Sequence, residues 1–404
     1  MIIIYAFFLL LIATTIKTTT TFALLQSTTT TSHNNKVLSS SLEDFHNWAD
    51  ENKIIRSVAV CEYDGVGGGK GLIATRDLKP GEIILSVPRS LTIQYDDDDY
   101  NNYHDDANNA EQNKKDWAGN FASKLCKLQN KVAEEEATTT TTTTNYTGMD
   151  GKVYSCNFPS SSPSALLKTY FDYGMPREGP YLPRDWTKDE LSQLQDEDII
   201  QLATLDAKWR DKQYQKFVDT NDETFTCITK EDYNRALGLV TSRSLELNSN
   251  NKDRRMLVPF LDNANHASKE DGGGSYSIGS TCVALFCGNK GVKEGDEVCL
   301  NYGHRKPEEF LLYYGFVPTN CGQGGKDTIY LPKQDQSISW IDDTTTITED
   351  IKLICFRMLS SYSTTLKQDK EELLNYDDKN FNAYRVALDY RCAKKALLER
   401  VVAR

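Results

Sequence analysis

Apolar residues recur along the chain at two periods, and these periods separate strand-rich regions from helix-rich regions. The segment 42–52 has the spacing of a short amphipathic helix, with which the folded part begins. Between Val58 and about Thr92 the apolar positions alternate and are partly β-branched, which predicts strands. Pro80 and Gly81 lie at the centre of a turn between two of these runs, so we predict a β-hairpin entered through a glycine-rich loop.

The next part of the chain has a helical period. Four large apolar residues of the segment 116–136 fall on one helical face, namely Trp117, Phe121, Leu125 and Leu128. Thr187 and Glu190 have the spacing of a capping box, which predicts one or two helices extending to about residue 218, and Thr229 is expected to cap a further helix. The threonine run 138–144 is expected to be a low-complexity insertion that need not pack.

Strand-like patterns return after Asn251, and the chain ends in a helical pattern over 382–402. The run "DTIYLP" before that helix is also strand-like. A β-rich unit is therefore interrupted by a helical block of roughly 150 residues and then completed. This pattern predicts an α+β fold.

The composition limits the classes of function. The 404 residues carry a net charge of −12, which argues against nucleic-acid binding because there is no basic excess to displace counterions. An acidic surface instead favours a basic or lysine-rich partner. The ten cysteines form no C-x-x-C pair and there is no H-E-x-x-H sequence, so no metal site is expected.

The beginning of the chain resembles a targeting segment. Residues Ile2 to Ala13 form an unbroken apolar run with the length of a signal-peptide core, and a Ser/Thr-rich stretch without any acidic residue extends to Glu43. We expect import into an organelle, such as a plastid reached through the secretory route. The alternatives are secretion or an N-terminal membrane anchor, and no stable membrane span is expected once the segment is removed.

The glycine-rich stretch around Lys70 excludes a nucleotide-phosphate loop. A P-loop requires a glycine where Asp64 lies and a hydroxyl residue where Gly71 lies. The glycines are followed by a strand-like run, whereas a phosphate loop is followed by a helix. The bare backbone must therefore serve another purpose.

Five short pieces of sequence, in order, resemble a branch of the SET-domain protein methyltransferases. They are "GKGLIA" at 69–74, "TSRSLEL" at 241–247, "LDNANH" at 261–266, "NYG" at 301–303 and "YYGF" at 313–316. The branch includes the Rubisco large-subunit lysine methyltransferase and the actin-histidine methyltransferase, and the resemblance covers about residues 42–320. A helical insertion between the two halves of the SET fold is also typical of this branch.

The resemblance implies a domain organisation. Residues 1–41 would be the targeting segment, 42–95 the first part of the SET domain, 96–253 the helical insertion with its acidic and Thr-rich loops, and 254–320 the second part of the SET domain. Residues 321–404 look like a shortened form of the family's helical substrate-binding domain. We expect a monomer.

The resemblance also implies a cofactor and the residues that bind it. S-adenosyl-L-methionine would be bound by residues that are named here in chain order: Gly68, Gly69, Lys70, Gly71, Leu72, Arg243, Asp262, Asn265, His266 and Tyr302. In this family the glycine loop lets main-chain groups approach the cofactor, and the Asn–His pair holds its adenine and methionine parts. Each of these residues taken alone is more simply explained as part of a turn, a cap or the core.

Tyr302 is the expected catalytic residue, and Tyr314 would form the other wall of a channel for the substrate lysine. Methyl transfer requires the nucleophile, the methyl carbon and the sulfur to lie in line. It also requires a neutral amine, which a dry aromatic channel favours because desolvation lowers the pKa of lysine. Arg243, Leu245, Tyr302 and Tyr314 are the expected substrate-binding residues.

The resemblance favours lysine over histidine as the target. The histidine-modifying member has Asn and Trp where this chain has Leu245 and Leu261. Leu247 departs from the second arginine of the lysine enzymes. The sequence thus predicts a protein-lysine N-methyltransferase acting on a non-histone protein. A SET-fold binding module without activity and a protein-histidine methyltransferase are the alternatives.

Overall fold

Strands from both ends of the predicted SET region pair with one another. In the computed structural model the described residues are 40–62, 69–96, 116–138, 143–147, 153–157, 163–220, 228–247, 254–303, 305–318, 328–331, 336–339, 347–376 and 382–404. Residues 36–404 form one compact unit. The predicted targeting segment and most of the acidic loop lie outside the described residues.

The first part of the fold contains one helix and five strands. They are α1 (Ser40–Glu51), β1 (Ile55–Arg56), β2 (Val58–Glu62), β3 (Lys70–Ala74), β4 (Ile83–Pro88) and β5 (Ile93–Asp96). Helix α1 buries its apolar face, where the ring of Phe45 stacks on Phe260 with centroids 4.5 Å apart. The helix and the strands that the pattern predicted are confirmed.

The predicted hairpin between β3 and β4 is wrong. Strand β3 pairs with β2, whereas β4 pairs with β1. The connection between them is held by a distant part of the chain, because the Leu78 amide donates to the Val292 carbonyl at 2.8 Å and the Val292 amide donates back at 3.1 Å. Gly81 has the positive φ of 75° that the predicted turn required. The turn is therefore present, but it directs the chain into a second sheet.

The insertion is mainly helical. It contains α2 (Trp117–Thr138), β6 (Thr143–Thr147), β7 (Val153–Asn157), α3 (Pro163–Thr169), α4 (Lys188–Ser192), α5 (Glu197–Thr220) and α6 (Lys230–Arg243). Both predicted caps are confirmed, since Thr187 and Thr229 accept from the amides of Glu190 and Asp232 at 3.3 and 3.1 Å. Strands β6 and β7 form an antiparallel hairpin, so part of the threonine run has regular structure that was not predicted.

The second part of the fold completes the sheets. It contains β8 (Leu245–Leu247), β9 (Arg254–Leu257), β10 (Ser275–Ile278), β11 (Cys282–Phe286), β12 (Glu297–Val298) and α7 (Pro307–Glu309), which runs into a π-helical turn (Phe310–Tyr314). Three sheets have the strand orders β1-β4-β11-β10, β12-β3-β2 and β5-β9-β8. Each of these three sheets joins strands from before and after the insertion, which confirms the interrupted α+β fold.

The C-terminal region is mainly helical, as predicted. It contains the hairpin β13 (Thr328–Leu331) and β14 (Gln336–Ser339), then α8 (Glu349–Ser361), α9 (Leu366–Asn375) and α10 (Ala383–Val402). Helix α10 begins at the cap residue Asn382, as the pattern predicted. None of the helices in the described part of the chain combines the length and the apolar composition that crossing a bilayer requires.

Candidate active site

The segment after β9 carries three of the predicted site residues and makes a tight 3₁₀ turn over Leu261–Asn263. Phe260 precedes the turn with φ +68°, a conformation that costs energy for a large side chain. Its ring is fully buried against Phe45, and this packing holds the strained backbone in place. The turn places Asp262 inside the protein and Asn265 near the surface.

Asp262 is the centre of a buried polar network. The Tyr170 hydroxyl donates to one carboxylate oxygen, and the Asn263 side-chain amide donates to the other at 3.1 Å. The Arg243 guanidinium, at the end of α6, donates to the main-chain oxygen of Asp262. Burial raises the pKa of Asp262 to about 6, against the opposing effects of Tyr170, Arg243 and Lys70. Tyr170 and Asn263 were missed by the sequence analysis.

The side chain of His266 is hydrogen-bonded to the main chain of Tyr302. The Tyr302 amide donates to His266 Nδ1 at 3.2 Å, so this nitrogen acts as an acceptor. Burial lowers the pKa of His266, which favours the neutral ring. The Tyr302 hydroxyl donates to the Ala264 carbonyl at 2.7 Å, and the Asn265 carbonyl accepts from the Leu300 amide at 2.8 Å. The two predicted motifs "LDNANH" and "NYG" are thus bonded side by side.

Two tyrosines are in ring contact at this point, and a third packs against the same core. The rings of Tyr302 and Tyr314 are 5.1 Å apart. Tyr276 and Tyr302 both pack, partly buried, against the main core, and Tyr276 lies within electrostatic range of Tyr314. Burial raises the pKa of all three phenols above its usual value, so each stays neutral at physiological pH. Tyr276 was missed because its alternating position in a strand is equally typical of a core residue.

A cleft of about 750 Å³ opens beside Tyr314. The predicted residues that line it are Gly69, Lys70, Arg243 and Tyr314, and residues not predicted include Glu62, Arg177, Glu178, Trp186 and Phe316. The buried Lys70 amine donates to the carbonyls of Tyr173 and Met175, the latter at 3.3 Å. Burial lowers the pKa of this amine, against the opposing effects of Glu62 and Asp262.

A second cleft of about 660 Å³ is lined by Tyr276 and by Asn301, the neighbour of Tyr302. Glycines form much of its wall, namely Gly81, Gly273, Gly274 and Gly288. Several are required by packing, since a Cβ on Gly288 would lie 1.8 Å from the Gly272 carbonyl oxygen. Tyr276 thus lines one cleft and Tyr314 the other, and Tyr302 lies against Tyr314.

Gly71, Leu72 and Leu245 do not line either cleft. Gly68 is outside the described residues. Gly71 and Leu72 are in β3, opposite Cys61 and Val60 of β2, and the Leu72 side chain is fully buried. Leu245 begins β8 and packs in the main core with 8% of its surface exposed. Within the part of the chain that the structure describes, no group of three His, Cys, Asp or Glu residues could hold a metal ion.

The fold is that of SET-domain proteins. The structure matches the SET domain of LSMT bound to lysine and AdoHcy with a TM-score of 0.59 and 18% identity, covering 91% of each chain. Rubisco LSMT bound to AdoMet matches with the same TM-score, identity and coverage.

The sequence is similar to curated protein-lysine methyltransferases. It is 22% identical over 318 residues to the [fructose-bisphosphate aldolase]-lysine N-methyltransferase, chloroplastic, of Arabidopsis thaliana, covering 74% of this chain and 56% of the relative. It is 21% identical over 279 residues to the N-lysine methyltransferase setd6 of Xenopus tropicalis, covering 64% and 54%. The chain therefore spans about half the length of the curated relatives it matches. No protein-family model matches the chain.

Proposed function

We propose that the chain is an S-adenosyl-L-methionine-dependent protein-lysine N-methyltransferase that acts on a non-histone protein. The observation that carries this proposal is the position of the three tyrosines, because Tyr314 lines the first cleft, Tyr276 lines the second and Tyr302 lies against Tyr314. A cofactor in the first cleft and a side chain entering from the second would meet at Tyr302. The names of the similar proteins support lysine as the target.

The first cleft fits the cofactor. Its wall carries acidic and basic side chains, Glu62 and Glu178 beside Lys70 and Arg243, which suit the ammonium and carboxylate of a zwitterion. The aromatic ring of Phe316 offers a surface for a base. Among the described residues, a Cβ on Gly69 would meet no atom within 4 Å, so this side of its main chain can accommodate a ligand. We propose that Gly68, Gly71, Leu72, Asp262, Asn265 and His266 complete or support this site.

The chain's residues would prepare the substrate amine for attack. When bound, the cofactor supplies an activated methyl group on a sulfonium sulfur. The partly buried phenols of Tyr276, Tyr302 and Tyr314 would surround the amine with little water, and desolvation lowers the pKa of a lysine toward its neutral form. Tyr302 would orient the amine, and the Ala264 carbonyl that now accepts its hydroxyl is an oxygen suited to weak C–H···O contacts.

Lysine is favoured over histidine at the substrate position. Leu245 and Leu261 are both apolar and buried, so neither offers a polar group to hold an imidazole. We further propose that the substrate is a basic protein surface, because the chain carries a net charge of −12. A plastid location is proposed because two similar proteins are chloroplastic. We also propose that the protein is a monomer and that residues 1–41 are a targeting segment.

The test is methyl transfer by the full chain. Purified protein would be incubated with radiolabelled S-adenosyl-L-methionine and a plastid lysate, beside Tyr302→Phe and the control Tyr384→Phe, whose hydroxyl bonds Glu372 on the surface. We expect label on lysine of one or a few proteins, lost in Tyr302→Phe and kept in the control. Calorimetric binding of the cofactor without any labelled product would favour the inactive binding module. Label on histidine would favour the other alternative.

A second variant separates cofactor binding from folding. Gly69→Ala adds a methyl group that meets no atom of the described residues within 4 Å, so the unfolding temperature should not change. If the cofactor approaches this backbone, the added Cβ should weaken its binding about tenfold, which corresponds to about 1.4 kcal/mol. Unchanged affinity in calorimetry would remove Gly69 from the site.

A further inference from the structure

A buried ion pair joins the C-terminal helix to the segment that carries Tyr314. Lys394 of α10 donates to Glu308 of α7, and their side chains are only 3% and 10% exposed. The other carboxylate oxygen of Glu308 has no hydrogen-bond partner among the described residues. Lys394 is therefore the group on which the buried charge of Glu308 depends.

A third region of the chain contributes to the same cluster. Asp196, just before α5, accepts from the hydroxyls of Tyr362 and Tyr390 at 2.9 and 2.7 Å. Glu308 and Asp196 together raise the pKa of Lys394 despite its burial, so the amine stays charged. The insertion, α7 and the C-terminal helix thus meet around one ammonium group.

A gain in stability does not by itself explain why this buried ion pair is present. Desolvation of two buried charges commonly offsets their attraction, and neutral replacements of a buried pair are often as stable as the pair itself. What an ion pair adds is a fixed geometry between the two elements it joins. The element joined here is short, because only Phe310–Tyr314 follows Glu309 before Gly315 ends the turn at φ +78°.

The same segment is held at a second point. Leu311 is fully buried in a cluster with Ala383, Val386 and Tyr390 of α10. Glu308 and Leu311 are three residues apart, so α10 packs against both α7 and the π-helical turn that follows it. Tyr314 lies three residues after Leu311, and its ring packs 5.1 Å from that of Tyr302.

We propose that Lys394 and Glu308 are positioning residues for methyl transfer, because their ion pair fixes the segment that places Tyr314 against Tyr302. This inference rests on the proposed function. It makes the C-terminal helix part of the catalytic unit, in addition to any contact with a substrate protein.

The test replaces both charges at once. In the double variant Lys394→Met, Glu308→Gln both members of the ion pair become neutral, and the buried Asp196 keeps the hydroxyls of Tyr362 and Tyr390, so folding should be preserved. The matched control is Lys395→Met alone. Lys395 is equally buried on the same helix, but its amine bonds Asp369 at 2.5 Å and the Thr364 carbonyl at 2.7 Å. Asp369 keeps its ion pair with the buried Arg391 at 3.2 Å, so the control removes a buried ammonium group without changing the bond to α7.

We expect the double variant to lose activity without losing stability. A displaced Tyr314 should lower kcat by about 10- to 100-fold, since small misplacements of a reacting group have effects of that size. The unfolding temperature should match that of the control, which should keep its kcat. An equal kcat in the double variant and in the control would overturn the inference.

A second readout does not depend on activity. The protein would be labelled with 3-fluorotyrosine, and the ¹⁹F resonance of Tyr314 would be assigned by its loss in Tyr314→Phe. We expect this resonance to move or broaden in Lys394→Met, Glu308→Gln and to stay unchanged in the control. If the wild-type protein transfers no methyl group, the proposed function fails, while this measurement still decides whether the ion pair positions Tyr314. An unmoved resonance would overturn the positioning role.

Discussion

Because of His46, the stability of this protein should depend on pH between about 6.5 and 4. Its Nε2 accepts from the Val60 amide of β2 at 3.0 Å, so the ring must be neutral at this atom. Burial, assisted by the nearby Arg56 charge, lowers the pKa of His46 from 6.5 to about 4. At about 1.4 kcal/mol per pKa unit, this lowering corresponds to about 3 kcal/mol of unfolding free energy.

The sign follows from the two pKa values. Between pH 6.5 and about 4 the unfolded chain binds a proton on His46 that the folded protein does not bind. The contribution is therefore present above pH 6.5, falls as the pH is lowered, and is lost at about pH 4. In the His46→Gln variant this titration is absent, although an amide oxygen can still accept from the Val60 amide.

The assay is equilibrium urea unfolding of wild-type and His46→Gln protein at several pH values from 7.5 to 4. Other titrating groups affect both proteins, so the difference between their unfolding free energies isolates His46. We expect wild type to lose about 3 kcal/mol relative to the variant across this range. A constant difference, or an NMR titration of His46 with a pKa near 6.5, would refute the reasoning.

Three further outcomes are expected from the same structure. Asp262→Asn should show the opposite pH dependence, because burial raises the pKa of Asp262 from 3.8 to about 6. In the same unfolding assay, wild type should gain about 3 kcal/mol of unfolding free energy relative to the variant as the pH falls from 7.5 to 4. Gly288→Ala should cost several kcal/mol by thermal unfolding, since its Cβ would lie 1.8 Å from a main-chain oxygen, whereas Gly69→Ala should be neutral. Thr229→Ala should cost about 1 kcal/mol by the same measurement, because it removes the cap of α6.

Local patterns predicted the local structure well. The caps at Thr187 and Thr229 form as expected because a cap depends on residues only three positions apart. The face of α2 is buried as its period required, with Phe121 and Leu125 fully covered. The error at the β3–β4 hairpin has the opposite cause, since the Leu78–Val292 bonds that divert the chain join residues far apart in sequence.

The same distinction separates the site residues that were predicted from those that were missed. Motif positions such as Asp262, His266 and Tyr302 stand out because they belong to short sequence pieces. Tyr170 donates to Asp262 across 92 positions of the chain, and no local pattern marks that contact. Tyr276 is one tyrosine among 21, and only the fold brings it within electrostatic range of Tyr314.

The ion pair between Lys394 and Glu308 extends this argument to the organisation of the whole chain. The domain organisation predicted from the sequence has a boundary at residue 320, and Lys394 and Glu308 lie on opposite sides of it. Asp196 in the insertion bonds Tyr362 and Tyr390 beyond the same boundary. Because these bonds are buried, the C-terminal helix cannot separate from α7 without breaking them and leaving buried polar groups unpaired. We therefore expect the C-terminal helix and the second part of the SET fold to unfold together, and to respond together when either side of the pair is changed.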